Sequence, residues 1–288
     1  MGALPALSLV SGALVSGASP STGSGTTRPS AALVRSTALE LVILACHTLL
    51  YPTGVTQERR PPPLATPLAP EGNGIANDRV PVLLLHGFAD NRSVFVLLRR
   101  SLLRHGWRHV ASLNHSLLTR DIRTAAAALS RYVEEFRART GAARIDVVGH
   151  SLGGLVARYH VQRLGGDALV RRVITLGTPH GGTLVAPPMS AHPLVRQMRP
   201  GSELLRELTA PAPGCRTRFV AFWSDLDQVM VPVETARLDH PDLVVRNIRV
   251  SGVGHLALPV HPTVVAGIRQ ALASRDESGD DAGRVSVA

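Results

Sequence analysis

The residues with the clearest chemical potential are Gly149-His150-Ser151-Leu152-Gly153. A serine hydroxyl with glycines two positions away on each side could attack a carbonyl carbon. The pattern G-x-S-x-G carries that meaning where a strand runs into a helix through a very tight turn. Ile145, Val147 and Val148 read as the strand, and a helical pattern follows at once. Side chains at 149 and 153 would collide with neighbouring backbone in such a turn, so both are glycine. The hydroxyl would also stand at a helix N-terminus, where the dipole favours developing negative charge. The bare pattern is weak in a chain with 26 glycines, because a glycine-rich turn without chemistry looks the same. The strand before, the helix after and the additional Gly154 favour the nucleophile.

A serine hydroxyl needs a base to take its proton. The chain holds 12 histidines, so position must choose among them. His255, in VSGVGHLAL, follows the last expected strand and precedes the final helix. That places it at the carboxyl edge of the sheet, where ligands bind in open α/β sheets. His160 lies mid-helix, and His109, His115, His240 and His261 fall in loops or at element ends; these read as structural or solvated. A carboxylate to orient the base should follow a strand between Ser151 and His255. The segment FVAFWSDLDQVMVP offers Asp225 and Asp227, both on one side of an extended chain. Charge developing on a substrate oxygen needs donors. The backbone N–H groups of Leu152 and Phe88 are the candidates, the latter just past His86-Gly87 at the end of an apolar run. His86 itself reads as structural.

The elements that must position these groups alternate. Val80–Leu85 is a continuous apolar run, as a buried parallel strand requires. Strands are expected at Val110–Leu113, Ile145–Val148, Val173–Leu176, Phe219–Trp223 and Val244–Val250. Helices are expected at Asp121–Arg139, with Ile122, Ala125, Ala126, Leu129, Val133 and Phe136 on one face, at Leu152–Leu164 and at Pro262–Ser274. Gly141 ends the first. This alternation predicts an α/β domain over 77–275, a mostly parallel sheet with helices on both faces. Residues 1–30 read as a disordered Ser/Gly/Ala leader, a poor match to an export signal. Residues 31–58 form an apolar helix region centred on TALELVILACHTLLY. It is short for a membrane span and carries Glu40 and His47, so it packs on the domain or anchors at a lipid interface. Residues 59–76 are Pro-rich and read as a linker, and 276–288 as a flexible tail.

The formal charge is +10 and every basic residue is Arg. The arginines are scattered and no aromatic-plus-basic motif accompanies them, so nucleic-acid binding is not expected. Anionic lipid remains a partner that such charge would attract. Of the two cysteines, Cys46 sits in an apolar run and reads as a small buried hydrophobe. No Cys or His pair has metal-ligand spacing, and no cofactor or metal is implied.

The segments VLLLHGF, DVVGHSLGG, TLGTPHGGT, SDLDQVMVP and GVGHLAL, in that order, resemble the small bacterial lipases and esterases of the α/β-hydrolase superfamily. The resemblance spans roughly Val80–Ala273. It implies an α/β-hydrolase fold and an ester hydrolase with a catalytic set Ser151, Asp227 and His255. The apolar-then-Pro continuation after Asp227 is similar to the family's acid loop, which favours it over Asp225. The turn Thr178-Pro179-His180-Gly181-Gly182 would line the site entrance, and 186–213 would be a short cap-like segment. Within that cap Met189, Leu194, Val195, Met198, Leu204, Leu205 and Leu208 suit either an acyl chain or core packing. By resemblance the implied substrates are acyl esters, lipids among them, with peripheral contact to a membrane or lipid surface. The same machinery would serve a thioesterase, phospholipase or acyltransferase, and a lipid-binding protein without catalysis could share the fold. Location stays open between secreted, membrane-associated and cytoplasmic.

Overall fold

A computed structural model describes residues 31–54, 79–88, 90–114, 120–185 and 191–274. The expected leader, the Pro-rich stretch, the tail and the first residues of the cap-like segment, 186–190 with Met189, lie outside these.

Among the described residues six strands make one sheet: β1 (Val82–Leu85), β2 (Val110–Leu113), β3 (Ile145–His150), β4 (Val170–Leu176), β5 (Arg218–Ser224) and β6 (Val244–Val250). Their order is β2-β1-β3-β4-β5-β6 and every pairing is parallel. The chain steps outward from β1 to β2, then returns past β1 to lay down β3. The direction of winding therefore reverses between β1 and β3. In open parallel sheets such a switch point leaves a crevice beyond the carboxyl ends of the strands. Leu85 pairs with Gly149 in the register of these two strands, so the loops that follow them emerge side by side. β1 starts at Val82 and not at Val80, because Pro81 has no N–H to give to the ladder.

Strand residues alternate between two apolar clusters, one on each face. Leu83, Leu85, Val147, Val173 and Phe219 face one; Val82, Leu84, Val148, Ile174 and Val220 face the other. The first is covered by α3 (Ile122–Thr140) and α4 (Leu152–Arg163), the second by α2 (Val96–Arg104) and α7 (Pro262–Ala273). Asp121 caps α3 by accepting from Thr124 N–H at 3.2 Å, and Gly141 closes it at φ 69°. Two short helices, α5 (Pro193–Gln197) and α6 (Glu203–Thr209), form the described part of the cap-like segment. Their Leu194, Val195, Met198, Leu204, Leu205 and Leu208 are buried in the first cluster, as core packing requires. Arg158 of α4 fastens α6 by donating to Leu208 O at 2.8 Å, and Glu207 of α6 takes Arg123 and the Tyr159 hydroxyl.

The apolar region folds as α1 (Ala31–Gly54). It docks along one narrow stripe: Ser36, Ile43 and His47 are buried, and Glu40 lies between them at the same helical spacing. Its C-terminal carbonyls are met from the domain. Asn91 donates to Tyr51 O at 2.8 Å, Asn114 to Gly54 O at 2.6 Å and Arg92 to Thr53 O at 3.1 Å. Three of the four stripe residues are polar, Ile43 being the exception, and the outward faces are apolar, with Leu49 78% and Val42 60% exposed. Cys46 is exposed, not buried as its apolar neighbours suggest. It stands about 100° around the helix from His47 and so misses the stripe.

Candidate active site

Ser151 sits where β3 turns into α4. Its backbone lies at φ 52°, ψ −122°, and it is the one non-glycine residue at positive φ among the described residues. Such a conformation costs on the order of 1–3 kcal/mol and persists only where the surroundings impose it. They do so here. A Cβ at Gly149 would lie 2.6 Å from Gly154 N, and one at Gly153 would lie 2.7 Å from His86 O. A Cβ at Gly154 would fall on the Thr178 side chain. Ser151 N–H donates to Leu176 O at 2.9 Å, and the Thr178 hydroxyl donates to Ser151 O at 3.0 Å. Thr178 is thus a buried support of the elbow, His180 is buried beside Thr175 and Arg158, and Gly181 is exposed.

His255 follows β6 and is buried against the elbow. Its ring centroid is 4.8 Å from that of His150, the neighbour of Ser151, and its carbonyl accepts from His150 Nε2 at 3.2 Å. Nδ1 of His255 meets Asp227 Oδ2 at 2.8 Å. A carboxylate only accepts, so the proton of that bond belongs to Nδ1 and the Nε2 lone pair is left free for chemistry. Asp227 is 1% exposed, and its other oxygen accepts from Val229 N–H at 3.0 Å and Met230 N–H at 3.1 Å. Asp225 is turned elsewhere: it accepts from Gly252 N–H and from Arg249, both at 2.9 Å. Of the two acidic residues in this loop, only Asp227 is brought to His255.

Burial opposes charge on His255, but the Asp227 carboxylate and its hydrogen bond, with Glu40 and Asp90 beyond, outweigh it and raise the imidazole pKa. His150 goes the other way: burial and the charge of His255 push its pKa well down. The two rings in contact are thereby separated into one that accepts a proton readily and one that stays neutral. His86 is lowered to about 4 by burial, consistent with a structural part.

The loop after β1 runs beside the elbow. A Cβ on Gly87 would lie 3.2 Å from both Ser151 Cβ and Asp90 Oδ2, a crowded approach that glycine avoids. Neither the Phe88 nor the Leu152 N–H finds a backbone acceptor among the described residues. Phe88 packs on His192 of the cap with centroids 5.2 Å apart. Among the described residues no group of three His, Cys, Asp or Glu gathers as a metal site.

A family described as a domain of unknown function, DUF7379, matches residues 56–222. The chain belongs to this family. The DUF7379 match includes Ser151 and the loop after β1 and ends before Asp227 and His255. A triacylglycerol lipase of Burkholderia plantarii is 33% identical over 126 residues, 41% of this chain and 35% of that protein. The aligned part is 35% of the length of the curated relatives the chain matches. Aspergillus fumigatus lipase B superposes with a TM-score of 0.64 at 16% identity, over 84% of this chain and 72% of that one. Bacillus licheniformis lipase BlEst2 in its mature form gives 0.59 at 16% identity, over 73% and 95%. The DUF7379 chain has the α/β-hydrolase fold.

Three neighbours of the site were not read from the sequence as part of it. Gly177, at φ 53°, lies where a Cβ would be 2.8 Å from Asp227 Oδ2 and 3.0 Å from His255 Nδ1. Its signal was a glycine directly after a strand. Asp90, with 18% of its side chain exposed, sits 3.7 Å from His150 Nδ1 and 4.0 Å from His47 Nδ1. Glu40, from α1, accepts from the two N–H groups that follow His255. A lone carboxylate in an apolar helix was its only signal.

Proposed function

We propose that the chain is a serine carboxylic-ester hydrolase, acting on acyl esters and lipids through an acyl-enzyme on Ser151. The observation that carries this reading is a serine held at a strained elbow whose neighbour, His150, is in ring contact with His255, an imidazole with Nδ1 fixed by a buried carboxylate. The relatives named triacylglycerol lipase support it, over the part of their length that aligns.

In this reading His255 Nε2 takes the Ser151 proton as the hydroxyl oxygen attacks the ester carbonyl carbon. The carbonyl electron pair moves onto oxygen, which the Phe88 and Leu152 N–H groups bind; one such donor contributes about 100- to 1000-fold in turnover. Asp227 holds the tautomer and stabilises the imidazolium. The carbon–oxygen bond to the alcohol breaks, His255 returns the proton to the leaving oxygen, and an acyl-serine remains. Water then attacks the acyl carbon, losing a proton to His255. Collapse releases the acid, and Ser151 recovers its proton. Lipid substrates suit the outward apolar faces of α1, which would lie against a lipid surface.

A series of nitrophenyl esters from short to long acyl chains tests the reading. Hydrolysis is expected from the native chain and not from Ser151→Ala, and a fluorophosphonate should label Ser151. Equal rates in both proteins, with no labelling, would leave a lipid-binding protein without catalysis. Faster release from a thioester panel would redirect the activity toward thioesterase chemistry.

A further inference from the structure

The N-terminal helix reaches both loops that carry the base and its acid. Glu40 Oε2 accepts from Leu256 N–H at 2.9 Å, and Oε1 accepts from Ala257 N–H at 2.9 Å. These are the two peptide groups directly after His255. Gly254, directly before it, leaves no room for a Cβ because the Glu40 carboxylate lies on its backbone. Three residues earlier on α1, Thr37 accepts from Gln228 Nε2 at 3.2 Å, one residue past Asp227. A single helix thus ties together the acid loop and the base loop, which come from chain segments about 200 residues away.

We infer that Glu40 is a positioning residue for His255, gripping the backbone of its loop with both carboxylate oxygens and placing a negative charge beside the imidazole. The inference rests on the hydrolase reading for its catalytic consequence. A carboxylate withdrawn from water is costly, and burial raises the Glu40 pKa while the two N–H bonds and the charge of His255 pull it back. Glutamine could not replace it on equal terms. One of its two ends would be an amide NH2 facing a backbone N–H, donor against donor. The charged and titratable groups that face His255 are Asp227 after β5, Asp90 after β1, His150 at the end of β3 and Glu40 on α1. His47, also on α1, faces Asp90 and acts on His150.

The test compares the full chain with Glu40→Gln, Glu40→Asp and Glu134→Gln. Imidazole signals of ¹⁵N-histidine protein are followed against pH, His255 being assigned by its loss in His255→Ala. The same proteins are assayed on a short, soluble nitrophenyl ester. Removing the charge should lower the His255 pKa by about half a unit or more in Glu40→Gln. The acid limb of the rate profile should move down with it, since the base then stays unprotonated to lower pH. Loss of the grip should cut kcat about 10- to 100-fold with KM little changed. Glu40→Asp keeps the charge and loses the reach, so the titration should stay near the native one while kcat falls. Glu134→Gln, exposed on α3 and away from the site, should match the native chain in both. A native His255 titration in folded Glu40→Gln overturns the inference. Should Glu40→Gln not fold, native kcat in Glu40→Asp overturns it. If the native chain shows no Ser151-dependent hydrolysis, the hydrolase reading fails on its own, and the His255 titration still decides the place of Glu40.

Discussion

The two oxygens of Asp227 have different tasks: Oδ1 takes two backbone N–H groups, and Oδ2 takes His255. Asparagine at 227 would keep its carbonyl where two donors converge and turn its NH2 toward Nδ1. The imidazole would then have to accept at Nδ1 and carry its proton on Nε2, the wrong tautomer for relieving Ser151. Asp227→Asn should therefore lose about 10³- to 10⁴-fold in kcat on a short ester while remaining folded. Asp225→Asn keeps an acceptor for Gly252 and weakens an exposed pair with Arg249, so its kcat should change by less than about tenfold. Collapse of turnover in Asp225→Asn alone would reverse this assignment. Asp90 offers a pH test. Burial raises its pKa to about 7, with the charge of His255 opposing. A carboxyl whose folded pKa is raised contributes stability that is full below its unfolded value and is lost as pH rises through the folded one. Asp90→Asn stays neutral throughout. The variant and native Tm should be close at pH 4, with the variant ahead by about 2–4 °C at pH 8. A constant gap across that range would remove the assignment.

At the scale of elements, the elbow works because β1 and β3 lie in contact with no side chain between their ends. Gly153→Ala would drive a methyl into the backbone carbonyls of Leu85, the last residue of β1, and His86, which follows it. It should lower both Tm and esterase rate, with thermal melts and initial rates as the readout. A second support lies at the other end of β3. Arg171 makes a bidentate pair with buried Asp146, at 3.0 and 2.6 Å, and also donates to Leu272 O at 2.9 Å. Asp146→Ala would leave the guanidinium head without that carboxylate and should cost about 3–5 kcal/mol in urea unfolding. This pair also explains what was illegible in the sequence. The arginines at 171 and 172 break the apolar run, so β4 reads as beginning at Val173 when it begins at Val170. Their heads reach Asp146 and Ala271 O, contacts that no periodicity encodes. The helix α2 was hidden for a related reason: Val96, Leu97 and Leu103 are exposed, so its apolar positions do not mark one face. By contrast β1, β2, β3 and β5 were legible as short apolar runs buried on both faces, α3 and α7 by an amphipathic stripe, and α4 by its start at the elbow; β6, an edge strand carrying Arg246, Asn247 and Arg249, was legible from its β-branched residues. Ser151, His255 and the loops after β1 and β5 could be placed from those elements. Gly177 and Glu40 could not, since their parts depend on approach in space between segments far apart in the chain.

Taken as a whole, the molecule wears α1 inside out. Glu40, His47 and Ser36 face the protein, while Val34, Leu39, Leu41, Val42, Leu49 and Leu50 face outward. A surface helix of an ordinary soluble domain has the opposite arrangement. Beside its C-terminal end is a recess of about 360 Å³ lined by Arg92, Arg99, Arg100 and Arg104 with Thr53, Ser93 and Ser112. Apolar faces next to a basic recess, on a chain of formal charge +10, form the pairing that an anionic lipid interface selects: buried hydrocarbon contact plus attraction to headgroups. The helix that would meet the lipid is the one whose inner stripe holds the His255 loop, so the site would be carried at the interface and not remote from it. Sedimentation with vesicles measures this. The chain should bind phosphatidylglycerol-containing vesicles more tightly than phosphatidylcholine alone, and salt should weaken the difference, since exposed charges are screened beyond about 8 Å at physiological ionic strength. The double variant Val42→Glu, Leu49→Glu changes only outward positions. It should lose about 10-fold or more in vesicle affinity, because burial of each such side chain contributes about 1.5–3 kcal/mol. Its rate on a soluble short-chain ester should match the native chain. Vesicle binding equal to native in that variant would mean that α1 does not face lipid, and that its apolar exterior is covered by something else.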